Sequence, residues 1–459
     1  MIRRLLNSFQ KYLPLILIVA IGLALRLFDL ERRVPFDADQ EELAFRASEI
    51  LGGHPALLGP KTSVGGFSIG PGFEYLWAGA SIFFRGAPIS GAYLSVLLGI
   101  ATILGFYFIG RNLFDKKTGL ILAFIIAVSA NTVAWDQAPW APSLFYISQL
   151  ILFYGAYLST KDKHGILFVA LGFALGYQSH FGIFLSFLAV AVYWIFFRSK
   201  TTKKYLLFSA AAVFFGLLPN ILFDLIHGFA NIKRLLGVFG ESPSGYGASL
   251  GKLFSSLTYS NISVLYPYPE RTAASIAFAA LIVAGLAFYL KNKKDRSFLL
   301  LTLLSITIPF ATFVFYSSNF SEYYLMMTIP PFMFLAGYFV HKLKGKWVCL
   351  LPLILIVLGY FNVRAALANK RVINLWAKEQ AVALIKGKSG ESGYGISLTT
   401  APGQYFGFKY LFDYYGIKAD VPPKPGQKVI YTIVVPDGAY GIYGIKSFDG
   451  IGVRWEGVR

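Results

Sequence analysis

One cysteine and five histidines among 459 residues leave little room for two kinds of chemistry. Cys349 stands alone inside an apolar run, so neither a disulfide framework nor a cysteine-rich metal site is available. Charge is scarce as well, at 14% of residues where soluble chains carry about a quarter. Acids are the scarcer sign: 23 Asp and Glu stand against 42 Lys and Arg, for a net charge of +19. That excess does not gather on one polar face but falls in short clusters between apolar runs, which excludes a nucleic-acid partner and reads instead as a topology signal. No small-residue cleavage pattern follows the first apolar stretch, residues 12–30, so it is expected to remain as a first helix. No set of His, Asp and Glu has convincing metal spacing, so a divalent metal is left open but not predicted, and no other cofactor is indicated.

What the chain has in abundance is apolar surface: 56% hydrophobic and 17% aromatic residues, with 43 Phe and 28 Tyr. Runs long enough to span a bilayer, about 17–25 residues, are expected at 12–30, 88–110, 118–135, 140–159, 164–179, 181–197, 205–225, 272–290, 297–316, 322–341 and 346–363. The basic clusters test that series, because alternate loops should hold the excess of Lys and Arg. Arg3/Arg4/Lys11, Arg111/Lys116/Lys117, Lys161/Lys163, Arg198 to Lys204, Lys291 to Arg296 and Lys342 to Lys346 all fall on one side. The expectation is an all-α polytopic membrane protein of about eleven spans, with its N-terminus cytoplasmic and its C-terminus outside. Residues 1–363 form the membrane domain. From 364 to 459 Gly and Tyr become frequent, Val421 to Gly426 is turn-rich, and Lys428–Val435 reads as a buried strand, so a small α/β extracytoplasmic domain is expected there.

The long outer loop between the first two spans holds an acidic cluster, Asp37-Ala-Asp39-Gln40-Glu41-Glu42, beside the bilayer, where charge is expensive. Asp37 and Gln40 have the spacing of a capping box, and the helix they open is expected to end at Gly52-Gly53. Its polar face carries Asp39, Glu42, Arg46 and Glu49, and its apolar side is expected to lie along the membrane surface. Asp39 falls in the first turn, where the helix dipole favours an ionised carboxylate suited to a general base or a metal ligand. Asp37 reads more readily as a cap than as a catalyst, and Glu42 with Arg46 reads equally as a surface pair. Downstream, Lys61-Thr62-Ser63 among glycines offers a cation and hydroxyls to a phosphate, or simply a turn. Asp136 at the outer lip of the third span is either a functional acid or a solvated one. His180 in a short outer turn suits a capping role as well as acid–base work. Asp224 and His227 are expected to pair with one another. Glu322 opens the tenth span, where it complements the helix dipole or serves the site.

These segments resemble one family. Asp39-Gln40 opening a juxtamembrane helix, Leu58-Gly-Pro-Lys-Thr-Ser63 and Gly70-Pro-x-x-Glu-Tyr-Leu76 are similar to the first outer loop of bacterial membrane glycosyltransferases of the C superfold, relatives of dolichyl-phosphate-mannose protein mannosyltransferases and lipid A aminoarabinose transferase. Ala134-Trp-Asp136, Gly176-Tyr-Gln-Ser-His180, Leu218-Pro-Asn to His227 and Glu322-Tyr323-Tyr324 continue it in order. The resemblance implies transfer of a hexosyl or pentosyl group from a polyprenyl-phosphate donor to a hydroxyl acceptor on a protein, lipid or glycan. It further implies inversion, the outer face of a bacterial cytoplasmic membrane, and Asp39 as the base. Cations for the phosphate are expected from Lys61 and Arg271, with Lys233 and Arg234 behind them; Glu41, Glu42 and Asp136 are candidates for a second acid or acceptor site, and His180, Glu322 and Tyr323 for further contacts. Two departures matter: Gln40 stands where relatives often have Glu, and Gly70 where they often have Lys. A transporter or flippase of a lipid-linked precursor is the alternative, but such proteins place polar residues near the bilayer midplane, whereas these lie in outer loops.

Overall fold

The computed structural model describes residues 2–62, 66–237, 250–314, 321–389 and 394–457, without the side chains of residues 2–9 and of Glu322. Its membrane part is a helical bundle: α1 (Ile2–Leu27), α4 (Ser90–Leu113), α5 (Lys116–Val128), α6 (Ala130–Asp136), α7 (Phe145–Ser159), α8 (Gly165–Tyr177), α9 (Ile183–Phe196), α10 (Lys203–Ile226), α13 (Arg271–Lys291), α14 (Arg296–Val314), α15 (Ile329–Lys342) and α16 (Lys346–Ala368). Among the described residues, eight helices are long and apolar enough to cross a membrane. Outside the bundle lie α2 (Ala38–Leu51), α3 (Gly72–Phe83), α11 (Ala230–Gly237) and α12 (Leu250–Leu265).

Three of the expected spans take another form. The stretch 118–135 is broken into α5 and α6 with a 64° bend at Ser129, whose ψ of 118 leaves the helical region. The break frees carbonyls that cannot find water in the bundle. Arg26, fully buried near the end of α1, takes them: its guanidinium donates to the carbonyls of Ala127 (3.0 Å) and Ile126 (3.3 Å) and pairs with Asp136 at 2.7 Å. The expected spans 164–179 and 181–197 become α8 and α9, of 13 and 14 residues. At 1.5 Å per residue each is about 20 Å long, short of a hydrocarbon core of about 30 Å. Glycine lets α8 pack closely on α7, since a Cβ on Gly172 would sit 2.5 Å from the Leu152 nitrogen and one on Gly155 2.6 Å from that of Val169.

In the long segment between α1 and α4, α2 starts and stops where its capping residues require. Gln40 returns to the Asp37 N–H at 3.1 Å, and Gly52 caps the end. Its apolar stripe of Leu43, Ala44 and Ala47 packs on protein rather than along lipid, because it shares a core with α3 and the C-terminal segment. That segment is α17 (Leu375–Lys388), β1 (Tyr394–Thr400), α18 (Phe408–Tyr415), β2 (Val429–Val435), β3 (Lys446–Phe448) and β4 (Ile451–Gly457). The sheet order is β1-β2-β4-β3, with β1 parallel to β2 and the other pairs antiparallel. The expected strand at 428–435 is β2. One hydrophobic core runs from Val34, Phe36, Leu43 and Trp77 of the loop into Leu375, Val382, Ile396, Phe408 and Ile433.

Candidate functional site

Two cavities meet at Asp39. The first, about 250 Å³, is lined by Asp39, Glu42, Lys61, Thr62, Ser179, His180 and Tyr323 among others. The second, about 370 Å³, is lined by Asp37, Asp39, Gln40, Trp135, Trp140 and Arg371 among others. Asp39 and Trp140 belong to both and form the partition between them. A group that must touch two reactants belongs at such a junction.

The Asp39 carboxyl is pushed above the usual range, first by burial and then by the neighbouring Glu42 and Asp37. This reverses the expectation from the helix dipole: losing water costs the ionised form more than the first turn of α2 returns. The chemical consequence is favourable, since a carboxylate with a raised pKa is a stronger base. The nearby acids have settled roles. Asp37 caps α2 and pairs with Lys378 at 3.1 Å. Glu41 accepts the Tyr410 N–H at 3.1 Å and lines neither cavity. Glu42 faces the first cavity while holding Arg46 at 2.7 Å, and Arg46 reaches on to the Leu58 carbonyl at 3.0 Å. Gln40 donates to the Pro139 carbonyl at 3.3 Å, a bond that a carboxylate at this position cannot donate.

Lys61 reaches the first cavity from a strand-like lip in which 59–62 pairs with 66–69, closed by Gly59 N–H to Ile69 O and Thr62 N–H to Phe67 O. Two asparagines fix the lip from outside: Asn231 accepts the Ser68 N–H at 2.7 Å, and Asn220 donates to the Ser68 and Ile69 carbonyls. Asp224 accepts the Asn231 N–H at 2.7 Å and so caps α11, while His227 meets the Phe223 carbonyl. The expected Asp224–His227 pair is therefore not formed; each serves the backbone near it. Lys233 and Arg234 lie on α11 and line neither cavity at Asp39. The lysine of relatives at Gly70 would have to displace the end of the Gln178 side chain, 2.3 Å from a Cβ there, which accepts the Gly72 N–H and donates to the Gly216 carbonyl.

His180 is buried among Phe145, Phe181, Tyr323 and Tyr324. Burial pushes it down to about 4, and its Nδ1 accepts the Gly182 N–H at 3.0 Å. It lines the first cavity as a neutral ring. Tyr323 lines the same cavity with its ring 5.8 Å from Trp140. Asp136 pairs with Arg26 in the bundle and lines neither cavity. Arg271 lies over the Tyr259 ring and lines a separate cavity with Lys252 and Ser255. Ser63 and the Glu322 side chain lie outside the described residues.

Three participants have no local signature in sequence: Trp140, Arg371 and Lys378 come to the surroundings of Asp39 from segments about a hundred or more than three hundred residues away. Glu74, within the Gly70 to Leu76 motif, lines neither cavity; it is fully buried, neither oxygen has a hydrogen-bond partner among the described residues, and burial raises it to about 7.

Residues 69–223 match the dolichyl-phosphate-mannose-protein mannosyltransferase family, a stretch that begins after Asp39. No curated protein matches in sequence. In fold the chain is similar to ArnT from Cupriavidus metallidurans bound to undecaprenyl phosphate, at 12% identity and a TM-score of 0.63, covering 96% of this chain and 97% of that one. It is also similar to the Archaeoglobus fulgidus oligosaccharyltransferase in the apo form, at 14% identity and a TM-score of 0.54, covering 88% of this chain and 64% of that one. The oligosaccharyltransferase AglB from Archaeoglobus fulgidus in complex with an inhibitory peptide and a dolichol-phosphate gives 13% identity, a TM-score of 0.50, and coverage of 92% and 70%. The chain thus has the C superfold of membrane glycosyltransferases and is similar, over residues 69–223, to the dolichyl-phosphate-mannose-protein mannosyltransferases.

Proposed function

We propose that this protein transfers a sugar from a polyprenyl-phosphate carrier to a hydroxyl acceptor, with inversion, at the outer face of a bacterial cytoplasmic membrane. The observation that carries the reading is the position of Asp39, at the junction of two cavities, one of which holds Lys61. The acceptor oxygen bonds to the anomeric carbon as the bond from that carbon to the phosphate oxygen breaks. The hydroxyl proton passes to Asp39, and the carrier leaves as a polyprenyl phosphate. Inversion requires base and leaving group on opposite sides of the sugar, and two cavities that share one carboxylate supply them. Lys61 lies in the first cavity, where an ammonium offsets charge growing on the leaving phosphate. ArnT carries undecaprenyl phosphate in its structure, which fits a carrier of this kind. The alternation of the basic clusters supports a site on the face opposite the cytoplasm. Residues 364–459 form the smaller extracytoplasmic part.

The test uses the full-length protein in lipid nanodiscs with undecaprenyl-phosphate-mannose as probe donor, reading release of undecaprenyl phosphate; the mass of any co-purifying carrier lipid names the native head group. Replacing a general base costs roughly 100-fold or more in rate, so Asp39→Asn is expected to lose at least that. A variant that turns over like the parent removes Asp39 from the role of base.

A further inference from the structure

The sheet-bearing C-terminal segment grips the base helix through one buried cation. Lys378 of α17 has no exposed surface, yet its side chain is charged and flexible, the kind least often found inside. Its three ammonium hydrogens meet three acceptors: the Phe36 carbonyl at 2.6 Å, the Phe406 carbonyl at 2.8 Å and the Asp37 carboxylate at 3.1 Å. Gly407 makes the approach feasible, since a Cβ there would sit 2.2 Å from the Phe36 oxygen and 3.0 Å from the ammonium. Three further bonds join the same partners. Leu375 N–H reaches the Val34 carbonyl at 2.9 Å, Tyr410 N–H reaches Glu41 at 3.1 Å, and the Tyr410 hydroxyl reaches the Gly86 carbonyl at 2.9 Å.

Phe36 and Asp37 are the residues that lead into α2, and Asp39 is its second residue. An ammonium that fixes both the carbonyl and the side chain at that entry sets where the first turn begins and which way it faces. It also counters the Asp37 charge, one of the charges that act on Asp39. We propose that Lys378 is a positioning residue for Asp39, through which the C-terminal segment holds the base between the two cavities. The proposal rests on the reading of Asp39 as the base, and it gives residues 364–459 a part in the site itself.

The groups facing Asp39 are Glu42 and Asp37 on its own helix and cap, Lys61 and His180 across the first cavity, and Arg371 across the second. Removing the Lys378 charge leaves Asp37 without its counter-ion, so Asp39 holds its proton to higher pH. Removing the Asp37 charge does the reverse.

The experiment measures the pH–rate profile of Lys378→Met, Asp37→Asn and the double variant in the full-length protein, with undecaprenyl-phosphate-mannose as donor. Expected for Lys378→Met is a tenfold or greater loss in kcat with donor KM little changed, and an acid limb moved to higher pH. Asp37→Asn keeps a good cap and is expected to move the limb to lower pH, with the double variant between them. A scaffold contact alone moves no acid limb, so limbs that coincide in all the variants overturn the proposal. Should Lys378→Met not fold, Asp37→Asn decides alone, and an unmoved limb is the overturning result. A second readout needs no donor: amide hydrogen exchange over 38–51 is expected to quicken in Lys378→Met while the bundle helices keep the parent rates. Unchanged exchange there overturns the clamp even if mannose proves to be the wrong sugar. Absent turnover in the parent protein, with quickened exchange in the variant, leaves the clamp standing and the donor assignment at fault.

Discussion

Glu74 offers a sharp test of how this fold treats charge beside the site, and the perturbation is Glu74→Gln. The carboxyl sits in the first turn of α3 with no exposed surface and no hydrogen-bond partner among the described residues, near Arg46 and Glu42. Burial raises it from 4.5 to about 7; the nearness of its own backbone N–H and the charge of Arg46 offset part of that, and Glu42 adds to it. Below pH 4.5 the group is protonated both folded and unfolded and does not affect the balance. Between 4.5 and about 7 the unfolded chain releases the proton while the folded chain keeps it, so stability falls as pH rises. Above about 7 the loss is complete, and at 1.36 kcal/mol per pH unit it comes to about 3 kcal/mol. Glutamine has nearly the same shape and cannot ionise. The assay is thermal unfolding of the full-length protein in detergent, followed by tryptophan fluorescence from pH 5 to pH 8. Glu74→Gln is expected to gain several degrees on the parent as pH rises across that range, the gap being smallest at pH 5. Other groups titrate in the same window, among them Glu379, raised to about 7 by burial and Glu31, but they cancel in the difference between variant and parent. Melting curves that stay parallel at every pH would refute the reasoning.

The remaining expectations concern the frame and the base. Arg26→Met leaves Asp136 and two carbonyls without their partner in the bundle and is expected to cost about 3–5 kcal/mol, read as a lower unfolding midpoint that Arg26→Met/Asp136→Leu partly restores. Gly70→Lys, which installs the residue of many relatives, is expected to cut the yield of folded protein by driving a side chain into Gln178; a well-folded variant would show that the 2.3 Å approach gives way. Asn231→Ala frees the lip that carries Lys61, so donor KM is expected to rise more than kcat falls. In the parent enzyme the rate should climb with pH through a value above the usual aspartate range, because burial raises Asp39 and the base works only when ionised.

The helical character of the bundle, the first-loop helix with its caps, and the strand at 429–435 were legible because each rests on local periodicity or a local stop signal. The number of spans was not, since apolar runs alone suggest about eleven where eight helices are long and apolar enough among the described residues. Asp39 stood out for a different reason: scarcity makes a carboxylate in an apolar chain conspicuous. What eluded the sequence was whatever depends on distant chain meeting distant chain. Lys378 looks like one polar residue of an ordinary helix until α17 is laid against Phe36. Asn231 looks like loop until α11 is laid against Ser68. The break at Ser129 hid inside a continuous apolar run, since hydropathy measures the cost of side chains and is blind to backbone ψ. The dipole argument for Asp39 gave the wrong direction because burial was not yet visible. Arg271, chosen for its place on the outer side, lines another cavity, which only the packing of α12 and α13 decides.

The basic excess has a second meaning beside topology. Arg26, Arg33 and Lys378 are buried, and each donates to backbone carbonyls where a helix starts, stops or breaks. Arg26 takes those freed between α5 and α6. Arg33 takes those of Ala366 and Leu367 at the end of α16, and Lys378 takes Phe36 at the entry to α2 and Phe406 just before α18. A site that holds an acid at the bilayer surface needs short helices and turns at that depth, and every turn leaves carbonyls that water cannot reach. A neutral donor satisfies one or two of them. An arginine or lysine reaches several at once, and its charge at the same time offsets the sparse acids nearby, Asp136 for Arg26 and Asp37 for Lys378. Such cations serve backbone and carboxylate at once, which topology signals do not require. Here they mark where helices start, stop or break around the candidate site.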